Sequence, residues 1–225
     1  MFYNPAYFDF VKLLESNWLK IRAEVERLQG ENFNPWYEKH LYNKDWTAFG
    51  LYNGYKQERG QKIEENCALC PETTRIIEAI PGLMTAGFSC LAPGTYIRPH
   101  KGYEGNVLRC HLGLIVPEGC GITVQGKTKT WTEGKCIVFD DTFVHEAWNF
   151  GKSKRIVLLM DIKKDKDVLG IDLSDEKYIE PFTWGEILRR EFQYTRLFYY
   201  KVTTKLAKMK QALKGSGEKP YKSAA

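Results

Sequence analysis

The chain has 225 residues, 43% of them hydrophobic and 27% charged, with a formal net charge of +5. That length and balance suit one globular domain, with room for an extension, and exclude a disordered or collagen-like chain. No run of about 18 apolar residues occurs, and the opening MFYNPAYFDF has no basic segment followed by an apolar one, so the sequence predicts neither a membrane span nor a secretory leader, and a cytoplasmic setting.

At the N-terminus, Asn4 is placed as a helix N-cap with Pro5 at the first helical position. Phe8, Val11, Leu14, Trp18, Ile21, Val25 and Leu28 then recur at helical spacing until Gly30. This amphipathic helix is expected to cover one face of the core. From Asn32 to about Leu51 the chain is aromatic and irregular, and Trp36, Tyr37, Tyr42, Trp46 and Phe49 fit either a core or a groove for an extended substrate. His40, among charged residues, is expected at the surface. Tyr55 to Asn66 carries charges of both signs and reads as a solvated loop, and Pro71 to Ile80 as a short helix stopped by Pro81 and Gly82.

From Leu83 onward short β-type segments alternate with turn signals at Pro93-Gly94, Gly102, Pro117 to Gly121, Gly126, Glu133-Gly134 and Gly151. That cadence predicts a mainly β, jelly-roll barrel. Within it, Val107 to Val116 sorts by twos. Leu108, Cys110, Leu112, Leu114 and Val116 make one apolar face, and Arg109 and His111 share the other. A buried arginine and histidine need an anion or hydrogen-bonding partners, so this second face looks either to solvent or to a polar interior site. Arg155 opens another apolar run, RIVLLMDI, and His100 and His145 begin two further segments; their recurrence favours a common interior site. Cys110 and Cys136 read as small core residues, and the spacing of Cys67 and Cys70, without a second such pair, does not make a zinc site or a disulfide scaffold.

After Ile162, Lys163 to Asp167 reads as a solvated turn, and a polar linker leads to Pro181. Beyond it Leu188, Phe192, Thr195, Tyr199, Val202, Leu206, Met209 and Leu213 step by four and three along one long helix. From Thr183 to the end, ten Lys and Arg face three Glu, so the positive charge of the chain belongs to this tail. Such a helix either packs on the barrel or on a second copy, expected as far as about Tyr200, or makes peripheral contact with an anionic membrane. With no recognisable nucleic-acid module, nucleic acid is not an expected partner. Lys214 to Ala225 is expected to be disordered. The division expected is 1–182 for the barrel domain and 183–225 for the basic helix and tail.

Four segments resemble the aspartyl/asparaginyl β-hydroxylase family of Fe(II)- and 2-oxoglutarate-dependent dioxygenases: Phe88 to Gly102 (FSCLAPGTYIRPHKG), Leu108 to Leu114 (LRCHLGL), Trp131 to Asn149 (WTEGKCIVFDDTFVHEAWN) and Arg155 to Ile162 (RIVLLMDI). The resemblance implies a double-stranded β-helix barrel with N-terminal helices and a long C-terminal helix. It implies His100 and His145 as iron ligands. Ser89 with Arg155 would hold the distal carboxylate of 2-oxoglutarate, and Arg109 with His111 its other carboxylate. Arginine's planar fork suits a dicarboxylate cosubstrate. Where many such oxygenases carry a third, carboxylate ligand, two residues after the first histidine, this chain has Gly102. Asp140, Asp141 and Glu146 are nearby in sequence but are expected as turn or surface carboxylates. The implied reaction uses Fe(II), 2-oxoglutarate and O2 to hydroxylate an unactivated carbon, the β-carbon of an aspartyl or asparaginyl residue of a peptide or amino-acid substrate, or alternatively a membrane-lipid acyl chain. The rival reading is a catalytically inactive cupin-like module that binds a membrane or a protein partner.

Overall fold

The computed structural model describes residues 1–54, 60–103 and 105–215, and side chains as far as 211. Residues 55–59 of the loop expected from Tyr55 fall outside the described residues, as does most of the tail expected to be disordered. The N-terminus begins with the short strand β1 (Phe2–Tyr3), after which Asn4 caps a single 3₁₀ turn, Pro5–Tyr7, its side chain accepting from the amide of Ala6. Helix α1 (Asp9–Val25) starts only after that turn, so the expected cap and proline are one turn early. Phe10, Val11, Leu14, Ile21 and Val25 are its buried apolar face.

Two short pieces lead into the barrel, β2 (Asn34–Pro35) and β3 (Trp46–Asn53). The expectation of an irregular chain up to Leu51 is therefore corrected from Trp46 onward, where Trp46, Phe49 and Leu51 are buried in a strand that pairs with its neighbours. Strand β4 (Gln61–Lys62) and helix α2 (Glu64–Leu69) replace the end of the expected loop. Helix α3 (Pro71–Glu78) has Pro at its first position. The buried Glu24 of α1 accepts from the amides of Glu72 and Thr73 at 2.9 and 2.7 Å, an anion placed on the helix N-terminus where free amides and the dipole favour it.

The remaining strands are β5 (Leu83–Leu91), β6 (Thr95–His100), β7 (Val107–Ile115), β8 (Cys120–Val124), β9 (Lys127–Lys129), β10 (Cys136–Phe139), β11 (His145–Asn149) and β12 (Arg155–Lys163). They make two antiparallel sheets. The larger runs β1-β10-β7-β12-β5-β3-β2, with β4 attached to β3; the smaller runs β6-β11-β8-β9. This is the jelly-roll, double-stranded β-helix architecture, in which sheets face each other across a shared interior. The β8–β9 hairpin turns on Gln125 and Gly126, both at positive φ, as a two-residue connection requires.

Period-2 alternation divides the large sheet into two cores. Leu108, Cys110, Leu112 and Leu114 of β7, with Ile156, Leu158, Met160 and Ile162 of β12, pack outward against α1 and α3. Their alternating neighbours, Val157 and Leu159, pack inward with Leu91, Ile122, Val124, Ile137 and Phe139 between the sheets. Arg109, His111, Arg155 and Asp161 share that inward phase. After β12 come the short helix α4 (Lys166–Leu169), in place of the expected turn, and the long helix α5 (Trp184–Gly215), which lies against β6 and β9. No helix among the described residues is long and apolar enough to cross a membrane. All six cysteines are buried and free.

Candidate active site

His100 ends β6 and His145 begins β11, and the two are direct partners in the antiparallel register. Their rings are 4.1 Å apart between centroids and tilted by 52°. In each, Nδ1 lies close to the backbone carbonyl two residues earlier, at 2.8 Å for His100 to Arg98 and 2.9 Å for His145 to Phe143. A carbonyl only accepts, so each Nδ1 carries the proton and each Nε2 keeps its lone pair for a metal. Burial holds both rings neutral, lowering His100 from 6.5 to about 4 and His145 well below its ordinary value. Two neutral imidazoles this close can ligate one divalent cation at about 2 Å each. Among the described residues no third His, Cys, Asp or Glu joins them as a metal-binding group.

The space expected for a carboxylate at position 102 is filled from another part of the chain. A Cβ built on Gly102 would lie 2.1 Å from Oδ2 of Asp141, and the Gly102 amide donates to the Asp141 carbonyl at 2.7 Å. Asp140, Asp141 and Glu146 were expected as turn or surface carboxylates; Asp141 does lie in a turn, but none of the three is at the surface, all being buried. Asp140 pairs with Lys164, Glu146 with Arg196, and Asp141 with Arg109. Burial raises the Asp141 pKa against the pull of Arg109, and its Oδ1 is buried with no donor.

Arg109 sits opposite Asp161 in the β7–β12 ladder and holds it with two parallel bonds of 2.8 Å, while its Nη1 reaches Asp141 at 2.9 Å. Burial opposes its charge, but the two carboxylates outweigh burial and raise its pKa. The forked edge expected to grip a cosubstrate carboxylate is therefore occupied by Asp161, and only the outer N–H groups remain for a ligand.

Deeper between the sheets several polar atoms are unpartnered. His111 is buried with neither ring nitrogen bonded, and burial, with Arg155 and Arg109, holds its pKa well below the ordinary value. Its ring stands edge-on to Phe139 at 5.1 Å, and Phe139 in turn meets His145 at 5.8 Å, so one line of rings joins His111 to the histidine pair. On its other side is Trp131 at 6.0 Å, whose Nε1 is also buried without a partner. The Arg155 guanidinium lies over the Trp131 ring at 4.6 Å and is only 2% exposed. Its Nη1 reaches the Ser89 carbonyl at 3.4 Å, its Nε has no partner, and burial lowers its pKa to about 10. No acidic side chain pairs with it among the described residues. Ser89 accepts from Trp46 Nε1 at 3.0 Å, leaving its hydroxyl proton for a second partner.

A cleft opens above His100, lined by Trp36, Tyr37, Glu38, Trp46, Lys101 and Tyr103 among others. Trp36 stacks on Trp46 at 4.2 Å, and Glu38 accepts from Tyr103 at 2.9 Å. The aromatic stretch left open between core and groove thus supplies both. His40 is exposed as expected, and only its carbonyl takes part, accepting from Arg98. Six residues singled out in the sequence, Ser89, His100, Arg109, His111, His145 and Arg155, face one interior. Trp131, Asp141 and Asp161 were missed as site residues. An inward phase opposite Arg109 marks Asp161 in the sequence, whereas nothing local marks Asp141, which reaches the site from a turn.

A sequence model of the aspartyl/asparaginyl beta-hydroxylase family matches residues 15–165. The human aspartyl/asparaginyl beta-hydroxylase is 37% identical over 169 residues, covering 70% of this chain and 21% of that protein. The ornithine lipid ester-linked acyl 2-hydroxylase of Rhizobium tropici is 38% identical over 173 residues, covering 72% of this chain and 60% of that protein. The chain thus spans between a fifth and three-fifths of the length of these relatives. Among solved structures, a 2OG-Fe(II) oxygenase family oxidoreductase from Burkholderia pseudomallei aligns with a TM-score of 0.48 and 15% identity, over 65% of this chain and 78% of that one.

Proposed function

The chain belongs to the aspartyl/asparaginyl β-hydroxylase family, and from that premise we propose that it is an Fe(II)- and 2-oxoglutarate-dependent hydroxylase of an unactivated carbon. One observation carries the reading: a buried arginine without a carboxylate partner shares an interior with two neutral histidines that keep their Nε2 lone pairs. A lone buried cation is costly, and a dianionic cosubstrate would relieve it.

In this reading His100 and His145 would hold the iron through Nε2. Arg155 would bind one carboxylate of 2-oxoglutarate, assisted by the Ser89 hydroxyl and Trp131 Nε1, while His111 and the outer N–H groups of Arg109 would meet its other carboxylate. Asp141 Oδ1, buried without a donor, would accept a hydrogen bond from a group bound in the site, and Asp161 keeps Arg109 in place. Bound iron, 2-oxoglutarate and O2 supply the oxidising chemistry: the cosubstrate gives succinate and CO2, and one oxygen atom enters a C–H bond of the substrate. Trp36 and Trp46 restrict water over His100 and orient what enters the cleft.

For the substrate, the family relationship supports the β-carbon of an aspartyl or asparaginyl residue in a peptide or amino acid. A second reading, hydroxylation of a lipid acyl chain, is favoured by the exposed apolar side chains of α5 and by the acyl-hydroxylase relative. Succinate release against a panel of peptides, amino acids and lipid acyl chains separates the two. Release above the uncoupled rate with none of them, joined to absence of the visible absorption band of an Fe(II)·2-oxoglutarate chelate, would instead favour the inactive binding module.

A further inference from the structure

The amphipathic pattern of α5 is turned away from the barrel. Among its described side chains the buried ones are Gln193 and Leu197; Gln193 bonds to the Gly126 amide, the Thr123 carbonyl and Glu146, and Arg189 donates to the Gly126 carbonyl. Leu188, Phe192, Tyr199, Val202, Leu206 and Met209, the row written into the sequence at steps of four and three, are exposed, Phe192 at 72% and Leu206 at 51%. Barrel packing therefore does not account for the apolar face.

We propose that this face is a membrane-docking surface that seats on an anionic lipid bilayer, which goes beyond the proposed reaction and does not depend on it. Charge selects the occupant. From Phe192 to Gly215 there is no acidic residue, and Lys201, Lys205, Lys208 and Lys210 are exposed with no ion pair among the described residues. A second copy of the helix laid on this face would bring lysines against lysines, whereas anionic headgroups complement them while the apolar row enters the acyl boundary. The apolar surface also continues off the helix: Tyr96, Trp148 and the exposed Phe150 line a groove with Phe192, beside Arg189 and Arg196. Aromatic rings next to arginines suit the boundary between headgroups and acyl chains.

The same helix reaches the rim of the active-site cleft. Lys101 lies over the Tyr194 ring at 5.4 Å, and Tyr200 donates to the His40 carbonyl while its ring receives Arg98 at 5.4 Å.

Co-sedimentation of the full chain with phosphatidylcholine vesicles, with and without phosphatidylglycerol, tests the proposal and needs no iron. The expected result is binding that requires phosphatidylglycerol and weakens with salt. Phe192→Glu with Leu206→Glu should weaken it about tenfold or more, each change forfeiting a buried apolar side chain. Lys201→Glu with Lys205→Glu should produce a similar drop without touching the apolar row, and circular dichroism should show both variants folded. Absence of binding, binding unchanged in both variants, or a concentration-dependent dimer abolished by the same changes would overturn the proposal, the last by assigning the face to a second copy.

Discussion

Burying the Arg155 guanidinium without a carboxylate beside it costs several kcal/mol, and burial draws its pKa down to about 10 while leaving it charged at neutral pH. Arg155→Lys should therefore fail to restore cosubstrate affinity, because an ammonium cannot make the two-pronged bond of a planar fork. His145→Ala is expected to abolish iron binding and turnover with little change in thermal stability, since among the described residues the ring bonds only to the Phe143 carbonyl; a variant that turns over normally would remove it from the metal site. The histidines also set an acid response. Burial depresses the pKa of His100, His111 and His145 in the folded chain, so the unfolded chain binds protons first as pH falls. Stability of the metal-free protein is full above about 6.5, the ordinary histidine value, and should be lost as pH drops through the interval down to about 4, where His100 titrates. Asp141, raised by burial, works in the opposite sense. Thermal melts of metal-free protein across that interval should show the decline, and a flat profile would mean that the rings are solvated.

The alternation along β7 and β12 was legible because both faces are buried for different reasons: one is wholly apolar against α1 and α3, the other mixes apolar residues with Arg109, His111, Arg155 and Asp161. The histidine pair was legible only through the ordered motifs, since antiparallel pairing of β6 with β11 unites residues with no characteristic spacing. Asp141 was not, because its role depends on the empty place at Gly102. Helix α2 hid behind the charges of Glu64 and Glu65, which here occupy its first turn and complement its dipole. For α5, periodicity gave the helix and its stripe but not the direction of the stripe, which follows from Gln193 and Arg196 satisfying the buried Glu146. Gly126 permits that docking: it has φ +80, and a Cβ there would lie 2.3 Å from the Arg190 amide nitrogen. Gly126→Ala should loosen α5 while leaving the barrel folded, seen as faster proteolysis within 184–211 and unchanged melting of the remainder. Unaltered protection would show that the helix is held by its other contacts.

At the scale of the molecule, two sheets divide the proposed task. The small sheet carries the paired His100 and His145 at one end of β6 and β11, and the large sheet carries the cations and their carboxylates along β7 and β12, so on the proposed reading the interior between them would hold iron at one side and a dicarboxylate along the other. The most direct test is a titration of 2-oxoglutarate into anaerobic Fe(II)-loaded protein, read by the visible band of the chelate, for the wild-type chain and for Arg155→Ala, with iron binding measured separately. The wild-type chain should form the band, and Arg155→Ala should bind iron equally but need at least about a hundredfold more 2-oxoglutarate, the equivalent of roughly 3 kcal/mol or more for a buried charged pair. Equal 2-oxoglutarate affinity in the two proteins would contradict the account, because the buried arginine would then be a structural cation and not the anchor of a cosubstrate.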